Sequence, residues 1–397
     1  TCIFMRIGLY NDSFPPLIDG VANTIYNYAK YINKNHGQAV VVTPKYRNVT
    51  DDYDFDVYRY SSISSFGMLP YRVGNSFSPA TIVDLNRKEL DLLHVHCPFS
   101  SAVLAYQQNK MRRKKIPVVF TYHTKFDVDI DKFVRFKKFN SVAKKFVLNN
   151  IKKADEVWVV SEGAGRWLET TGYNGRYVIM PNGTDFKKGK ASAEQLSELE
   201  RIFRLDGSDL VFLFVGRMMW YKNIKLIIDS LDEVRKAGIK FKMFFVGEGR
   251  DRSAIEDYVK KMSLSDSVIF TGAICDREQL RVYFSRADLF IFPSTYDTSG
   301  LVVKEAAACY CPSLLVKNSC AAESAVDGIS GFITEESVND CARKIIDVCR
   351  QPQKLKEVGI TASEKIYLSW EDAVARAYNR YEVVKESFIR NKKRSLF

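Results

Sequence analysis

Tyr296–Glu305 reads YDTSGLVVKE and stands between an apolar run, Leu289–Phe292, and an alanine-rich segment that continues to Ala308. A short apolar run, a polar turn containing glycine and then a helical segment is how a strand feeds a helix in an alternating chain. The start of such a helix presents unpaired amides and the positive end of a dipole, both of which attract an anion such as phosphate. Asp297 precedes the turn and Glu305 lies just over one turn inside the helix, so two carboxylates flank that anion site. A nucleotide-sugar has the matching layout, with phosphates between two hydroxyl-bearing ends.

The alternation extends in both directions from this stretch. Leu210–Val215, Phe241–Val246, Ser267–Thr271 and Ser313–Val316 are further strand-like runs, and Lys222–Ala237 has helical periodicity. The first half repeats the pattern: strand-like Phe4–Tyr10, a loop with Pro15, Pro16 and Gly20, then helix-like Val21–Asn35. Strands follow at Ala39–Thr43, Leu92–His96, Val118–Tyr122, Glu156–Val160 and Tyr177–Met180. This predicts an α/β fold with one parallel sheet per half, each covered by helices on both faces. A chain of 397 residues is too long for one ordinary core, and the polar segment Thr184–Ser192 is the expected linker. Open parallel sheets bind ligands beyond the carboxyl ends of their strands. If the two sheets face each other, the site is expected in the cleft between them.

A net charge of +12 asks for an acidic partner. Lys132–Lys153, KFVRFKKFNSVAKKFVLNNIKK, has eight basic residues and no acidic one. On a helix, at about 100° per residue, Phe136, Phe139, Val142, Ala143, Phe146 and Val147 share one side. Lys137, Lys138, Lys144, Lys145 and Lys152 gather on the other. This pattern suits adsorption to anionic lipid; an ordinary surface helix that packs its Phe residues inward fits it as well. Two further basic clusters, Lys110–Lys115 and Arg390–Arg394, strengthen the membrane reading. Nucleic acid is not an expected partner, because no reader motif accompanies the lysines. No apolar run approaches the ~18 residues of a spanning helix, and TCIFMRIGLY lacks the parts of a signal peptide. The expected location is cytoplasmic, peripheral on the inner face of the cell membrane. The eight cysteines include no CxxC pair and read as buried reduced thiols rather than a disulfide framework or zinc site.

Several candidates follow strands. After Val215 comes GRMMWYK, which puts Arg217 in the loop and Lys222 at the start of the next helix. A fork and a point charge of different reach suit a diphosphate, although a solvated surface pair has the same spacing. VGEG, Val246–Gly249, is a second glycine turn where backbone can approach a ligand, so Gly247 is counted with the donor site. Ile274, two residues past Gly272, is counted there too. Gly20 opens a helix whose amides could meet phosphate or sugar hydroxyls, or is simply a turn glycine. Three of the four histidines, His94, His96 and His123, follow first-half strands. His94 and His96 project to the same side of a strand, without the further ligands that zinc requires. His123 is placed to hydrogen-bond a hydroxyl or tune a reacting oxygen. Asp127, Asp129 and Asp131 lack the glycine and distal Glu of a calcium loop and read as a polar loop beside the acceptor.

GRMMWYK resembles the GR-x4-K element, and DTSGLVVKE the E-x7-E element, of glycosyltransferase family 4, retaining enzymes with two facing Rossmann-like domains (GT-B type). FPPLIDGVANTI, HVHCPF, PVVFTYHTKFD, VWVVSEG, MPNGTDF and the Trp370 segment fall in that family's order. The resemblance implies an N-terminal acceptor-binding domain over 1–186, a nucleotide-sugar domain over 187–370, and a helix over 371–397 packing back on the first. It implies that Arg217 and Lys222 bind the diphosphate, with amides of Gly300, Leu301 and Val302. Glu305 would take the ribose hydroxyls and Asp297 those of the donor sugar, while Gly20 and His123 face the reacting sugar. Ser299, counted with the donor site, stands where the family commonly has Phe, and Asp297 where Glu is usual, which shortens its reach by one methylene. FPPLIDGVANTI and the basic segment after TYHTKFD are most similar to bacterial diacylglycerol glucosyltransferases. The implied activity moves a hexose, as from UDP-glucose, to a lipid hydroxyl, with no divalent metal or other cofactor. A capsule or cell-wall saccharide acceptor, or a non-catalytic nucleotide-sugar-binding protein, stays open.

Overall fold

A computed structural model describes residues 4–17, 19–64, 72–126, 137–206 and 208–394, with the side chains of 137–139 and 393–394 outside that description. The chain divides into two compact units, one of 1–182 with 370–397, the other of 183–369.

Among the described residues, the first unit holds a parallel sheet of β1 (Arg6–Tyr10), β2 (Gln38–Pro44), β3 (Asp56–Tyr60), β4 (Leu92–Val95), β5 (Val118–Tyr122), β6 (Glu156–Val159) and β7 (Tyr177–Ile179). Their order is β3-β2-β1-β4-β5-β6-β7. The second unit's sheet contains β8 (Leu210–Val215), β9 (Phe241–Val246), β10 (Val268–Gly272), β11 (Leu289–Phe292), β12 (Ser313–Val316) and β13 (Phe332–Thr334), in the order β10-β9-β8-β11-β12-β13. Both are doubly wound sheets in which the order reverses beside the first strand. Ligands of such sheets bind outside the carboxyl ends at that reversal, which falls between β1 and β4 in one unit and between β8 and β11 in the other.

In the second unit the central strands β8 and β11 are apolar throughout because both faces are covered; Val211–Phe214 and Leu289–Ile291 are almost wholly inaccessible. β3 was not foreseen, since DVYRY is a partly exposed edge strand with no apolar run. The segment Thr184–Ser192 is not a free linker. Thr184 N donates to Leu368 O at 2.8 Å, and Phe186 is buried under the Arg277 guanidinium, 4.4 Å from its ring centroid.

Six helices matter below: α1 (Gly20–Asn35), α2 (Lys137–Lys152), α3 (Ile224–Lys236), α4 (Arg277–Arg286), α5 (Leu301–Ala308) and α6 (Trp370–Arg394). α6 belongs to the first unit, where it packs against α1. Tyr378 Oη accepts from Met5 N at 2.7 Å, and Arg380 makes a two-point ion pair with Glu156 at 2.9 and 2.6 Å. Among the described residues no helix is long and apolar enough to cross a membrane. Cys309, Cys311, Cys341 and Cys349 are buried free thiols, as their apolar surroundings predicted.

Candidate active site

The loops after β8 and β11 meet at the second unit's reversal point. Past β8 the backbone stays zipped to the loop after β9: Gly216 N donates to Val246 O at 3.0 Å and Met218 N to Glu248 O at 3.0 Å. The approach is so close that a Cβ on Gly247 would lie 2.0 Å from Gly216 O, and Gly247 has φ +140°. Only glycine fits there. The zipped loop leaves the Arg217 side chain exposed, with no hydrogen bond or ion pair among the described residues.

Lys222 does not open the following helix. Trp220–Lys222 is a 3-10 turn, Asn223 is left-handed at φ 60°, and α3 starts at Ile224. This break turns Lys222 inward, where only 9% of its side chain is exposed and its Nζ contacts both Asp297 oxygens at 2.6 and 2.7 Å. Ser294 Oγ donates to the same carboxylate. Asn223 Nδ2 donates to Pro293 O at 3.0 Å, joining the two loops. Lys222 and Asp297, given separate roles from the sequence, thus form one ion pair whose partners neutralise each other. Arg217 carries a charge that no ion pair among the described residues offsets.

Gly300 is left-handed (φ 55°, ψ 37°) and begins α5 without a side-chain cap. The first amide to find a carbonyl there is Val303 N, which donates to Gly300 O at 3.0 Å, so those of Leu301 and Val302 point out of the helix end. Beside them the Ser299 hydroxyl is buried without a hydrogen-bond partner among the described residues. A buried polar group left this way is costly, and a bound ligand oxygen would satisfy it. Glu305, 8% exposed, accepts from Arg277 Nη2 at 2.5 Å. Burial raises its carboxyl pKa and the guanidinium pulls it back down. Arg277 also grips Asp185 at 2.9 and 2.6 Å. Sequence reasoning missed this arginine, because a basic residue opening a helix far along the chain carries no local signal. Ile274 packs against the second unit's apolar core and contributes a partly buried wall.

In the first unit, the Asp19 side chain accepts from Val21 N and Ala22 N at 2.9 and 2.7 Å. The opening amides of α1 are therefore capped from within the chain, a correction to the reading that they await an anion. Gly20 itself is exposed, and a Cβ there would meet nothing within 4 Å. His123 Nε2 is 2.9 Å from His96 Nδ1, and the His94 ring is held by Tyr381 and Thr121 at 2.6 Å each. Burial lowers His94 and His96 well below the usual histidine range and brings His123 down to about 3. His123 is accordingly a neutral imidazole at physiological pH, able to hydrogen-bond a hydroxyl but not to act as an imidazolium acid.

Because these folded pKa values are depressed, the unfolded chain binds protons first as pH falls below about 6.5, and stability declines from there. Each histidine should forfeit about 1.4 kcal/mol by pH 5.5. Melting curves should show Tm falling between pH 7.5 and 5.5, less steeply in His94→Asn; a flat profile would contradict the buried neutral cluster.

α2 differs from its helical wheel. Val147, Asn150 and Ile151 are buried, yet Val142 is 65% and Phe146 45% exposed, on the same outward side as Lys145 and Lys152. The apolar stripe is wider than the core can cover. Lys144 is partly buried rather than outward. Phe136 and Asp127, Asp129 and Asp131 lie outside the described residues, and Lys137, Lys138 and Phe139 are described as helical backbone alone.

Two family models match in succession: Glycosyltransferase Family 4 over residues 18–188, and Glycosyl transferases group 1 over 196–365. The chain is similar to the alpha-monoglucosyldiacylglycerol synthase of Streptococcus pneumoniae (strain ATCC BAA-255 / R6), 26% identical over 383 residues that cover 95% of this chain and 85% of that protein. It is similar to the alpha-monoglucosyldiacylglycerol synthase of Acholeplasma laidlawii, 23% identical over 410 residues, covering 95% and 100%. Among solved structures, Anabaena HepE in complex with UDP-glucose superposes with a TM-score of 0.70 at 19% identity, covering 96% of this chain and 100% of that one.

Proposed function

The chain belongs to the GT-B glycosyltransferases, with a Family 4 domain followed by a group 1 domain, and on that premise we propose that it transfers glucose from UDP-glucose to a lipid hydroxyl such as that of diacylglycerol. Support for the donor comes from the solved relative that holds UDP-glucose, and from an anion site at the second sheet's reversal point. Support for the acceptor comes from two relatives whose names state monoglucosyldiacylglycerol synthesis. The observation that carries the lipid reading is the outward face of α2, where Val142 and Phe146 stand exposed beside Lys145 and Lys152. Apolar groups that enter the interface between lysines that meet anionic headgroups are the chemistry of a peripheral membrane helix. The cytoplasmic face of the membrane is part of the proposal.

In this reading Arg217, Lys222 and the Leu301 and Val302 amides hold the diphosphate, and Glu305, oriented by Arg277, accepts from the ribose. Asp297 and Ser299 meet the donor sugar. Transfer proceeds with retention: the bond from the anomeric carbon to the phosphate oxygen breaks and the acceptor oxygen bonds on the same face. The acceptor proton passes to the departing diphosphate. Charge accumulating on that group is met by preorganised donors, so the mechanism calls for no divalent metal.

Sedimentation with phosphatidylglycerol vesicles at low salt tests the membrane step. The wild type is expected to co-sediment, and Val142→Ser/Phe146→Ser to stay in the supernatant. UDP release from UDP-glucose should rise on adding diacylglycerol. Vesicle binding without that rise would instead favour a saccharide acceptor.

A further inference from the structure

Beneath α2 the first unit contains a cavity of about 230 Å³. Its most buried lining is hydrocarbon and aromatic ring with one phenol hydroxyl: Tyr122 and Phe126 at and just past the end of β5, and Val147 and Ile151 from the helix. Toward the surface the lining changes to the partly exposed Leu148, Lys144 and Thr171 and the exposed Thr170. The cavity thus runs from an apolar floor to a mouth with hydroxyls and an ammonium group. Small-metabolite pockets start near ~300 Å³ and fix their ligands with placed polar groups. Here the space is smaller and, apart from the buried Tyr122 hydroxyl, its polar groups belong to the more exposed residues, which suits a length of hydrocarbon chain attached to a polar head.

We propose that this cavity receives part of one acyl chain of a glycerolipid. The inference rests on the lipid-acceptor reading and deepens it, since α2 would have two jobs. Its outer face, Val142 and Phe146, meets the bilayer, while its inner face, Val147, Leu148 and Ile151, lines a slot for a chain drawn out of that bilayer. The glycerol end stays by Lys144, Thr170 and Thr171: the ammonium donates to ester oxygens, while the two hydroxyls, whose protons go to Trp167 O and Leu168 O at 2.6 Å each, accept from the lipid hydroxyl. A bilayer lipid must leave apolar surroundings to reach a polar reaction site, and an apolar slot offsets that transfer by keeping chain methylenes out of water.

Photolabelling tests this, using a diacylglycerol with a diazirine in mid-chain, the full-length chain and peptide mapping by mass spectrometry. Label is expected on Val147, Leu148 or Ile151, or on Lys144, Thr170 and Thr171. It should be lost in Leu148→Trp, which fills the slot, and in Thr170→Trp, an exposed position whose change leaves the core intact. Vesicle sedimentation should persist in both variants. Label confined to Val142 and Phe146, or undiminished by either filling variant, overturns the proposal. Slot labelling without diacylglycerol-stimulated UDP release upholds the slot and rejects the acceptor reading, so the two failures are separable.

Discussion

Lys222→Ala is expected to lower hexosyl transfer by about 10²–10³-fold, the usual loss when a preorganised donor to a developing negative charge is removed. The substitution deletes a cation and leaves the Asp297 carboxylate without its two-point partner, beside the Tyr221 and Phe292 rings that flank Lys222 Nζ at 5.6 and 5.9 Å. An unpaired carboxylate near the diphosphate would repel it, so kcat and donor affinity should fall together. Arg217→Ala provides the contrast. That side chain is exposed and makes no hydrogen bond or ion pair among the described residues, so stability should change by less than about 0.5 kcal/mol while turnover drops to a similar degree. UDP release assays beside thermal melts separate the two. Near-normal turnover in either variant would falsify the phosphate role.

Gly247→Ala should give the largest structural effect. The added methyl would collide with Gly216 O at 2.0 Å, and the residue would be held at φ +140°. The clashing group is the Gly216 carbonyl, backbone of a loop already hydrogen-bonded to this one and not a flexible side chain that could swing aside. A loss of about 3 kcal/mol, near the top of the ordinary range for point changes, corresponds to a Tm drop of roughly 6–12 °C in a unit of this size. Thermal melts of the variant read it directly. Because the displaced loop carries Arg217, transfer should fall even at temperatures where the variant remains folded, and an unchanged Tm would show that the loops can part.

Much of this was legible because the informative features are local. Leu210–Val215, Phe241–Val246 and Leu289–Phe292 announce themselves as uninterrupted apolar runs, and each is a strand over those same residues. The glycine turn before α5 was equally plain, since a strand, a turn and an alanine-rich helix leave little choice of backbone. What the sequence hid is side-chain direction and distant pairing. Nothing in WYKN says that Asn223 adopts a left-handed conformation, ends the turn, and sends Lys222 to Asp297. The Arg277–Glu305 contact joins two helices, and only the fold brings them together. The helical wheel of α2 put Val142, Phe146 and Val147 on one side but could not say that the core would cover Val147 and leave the other two exposed. For α1, a glycine at a helix start looked like an open anion site until Asp19 was seen to fill it.

The return of the chain at Trp370 bears on how the protein is made. α6 supplies Tyr378 and Tyr381, which close over Met5 and His94 in the first unit. On the ribosome, residues 1–182 emerge long before residue 370, so that unit must wait with one side of its sheet uncovered while the whole second unit is synthesised. The second unit is contiguous in sequence and can complete its fold as it leaves the exit tunnel. The order of maturation is therefore expected to run opposite to the order of synthesis, with the first unit the last to close.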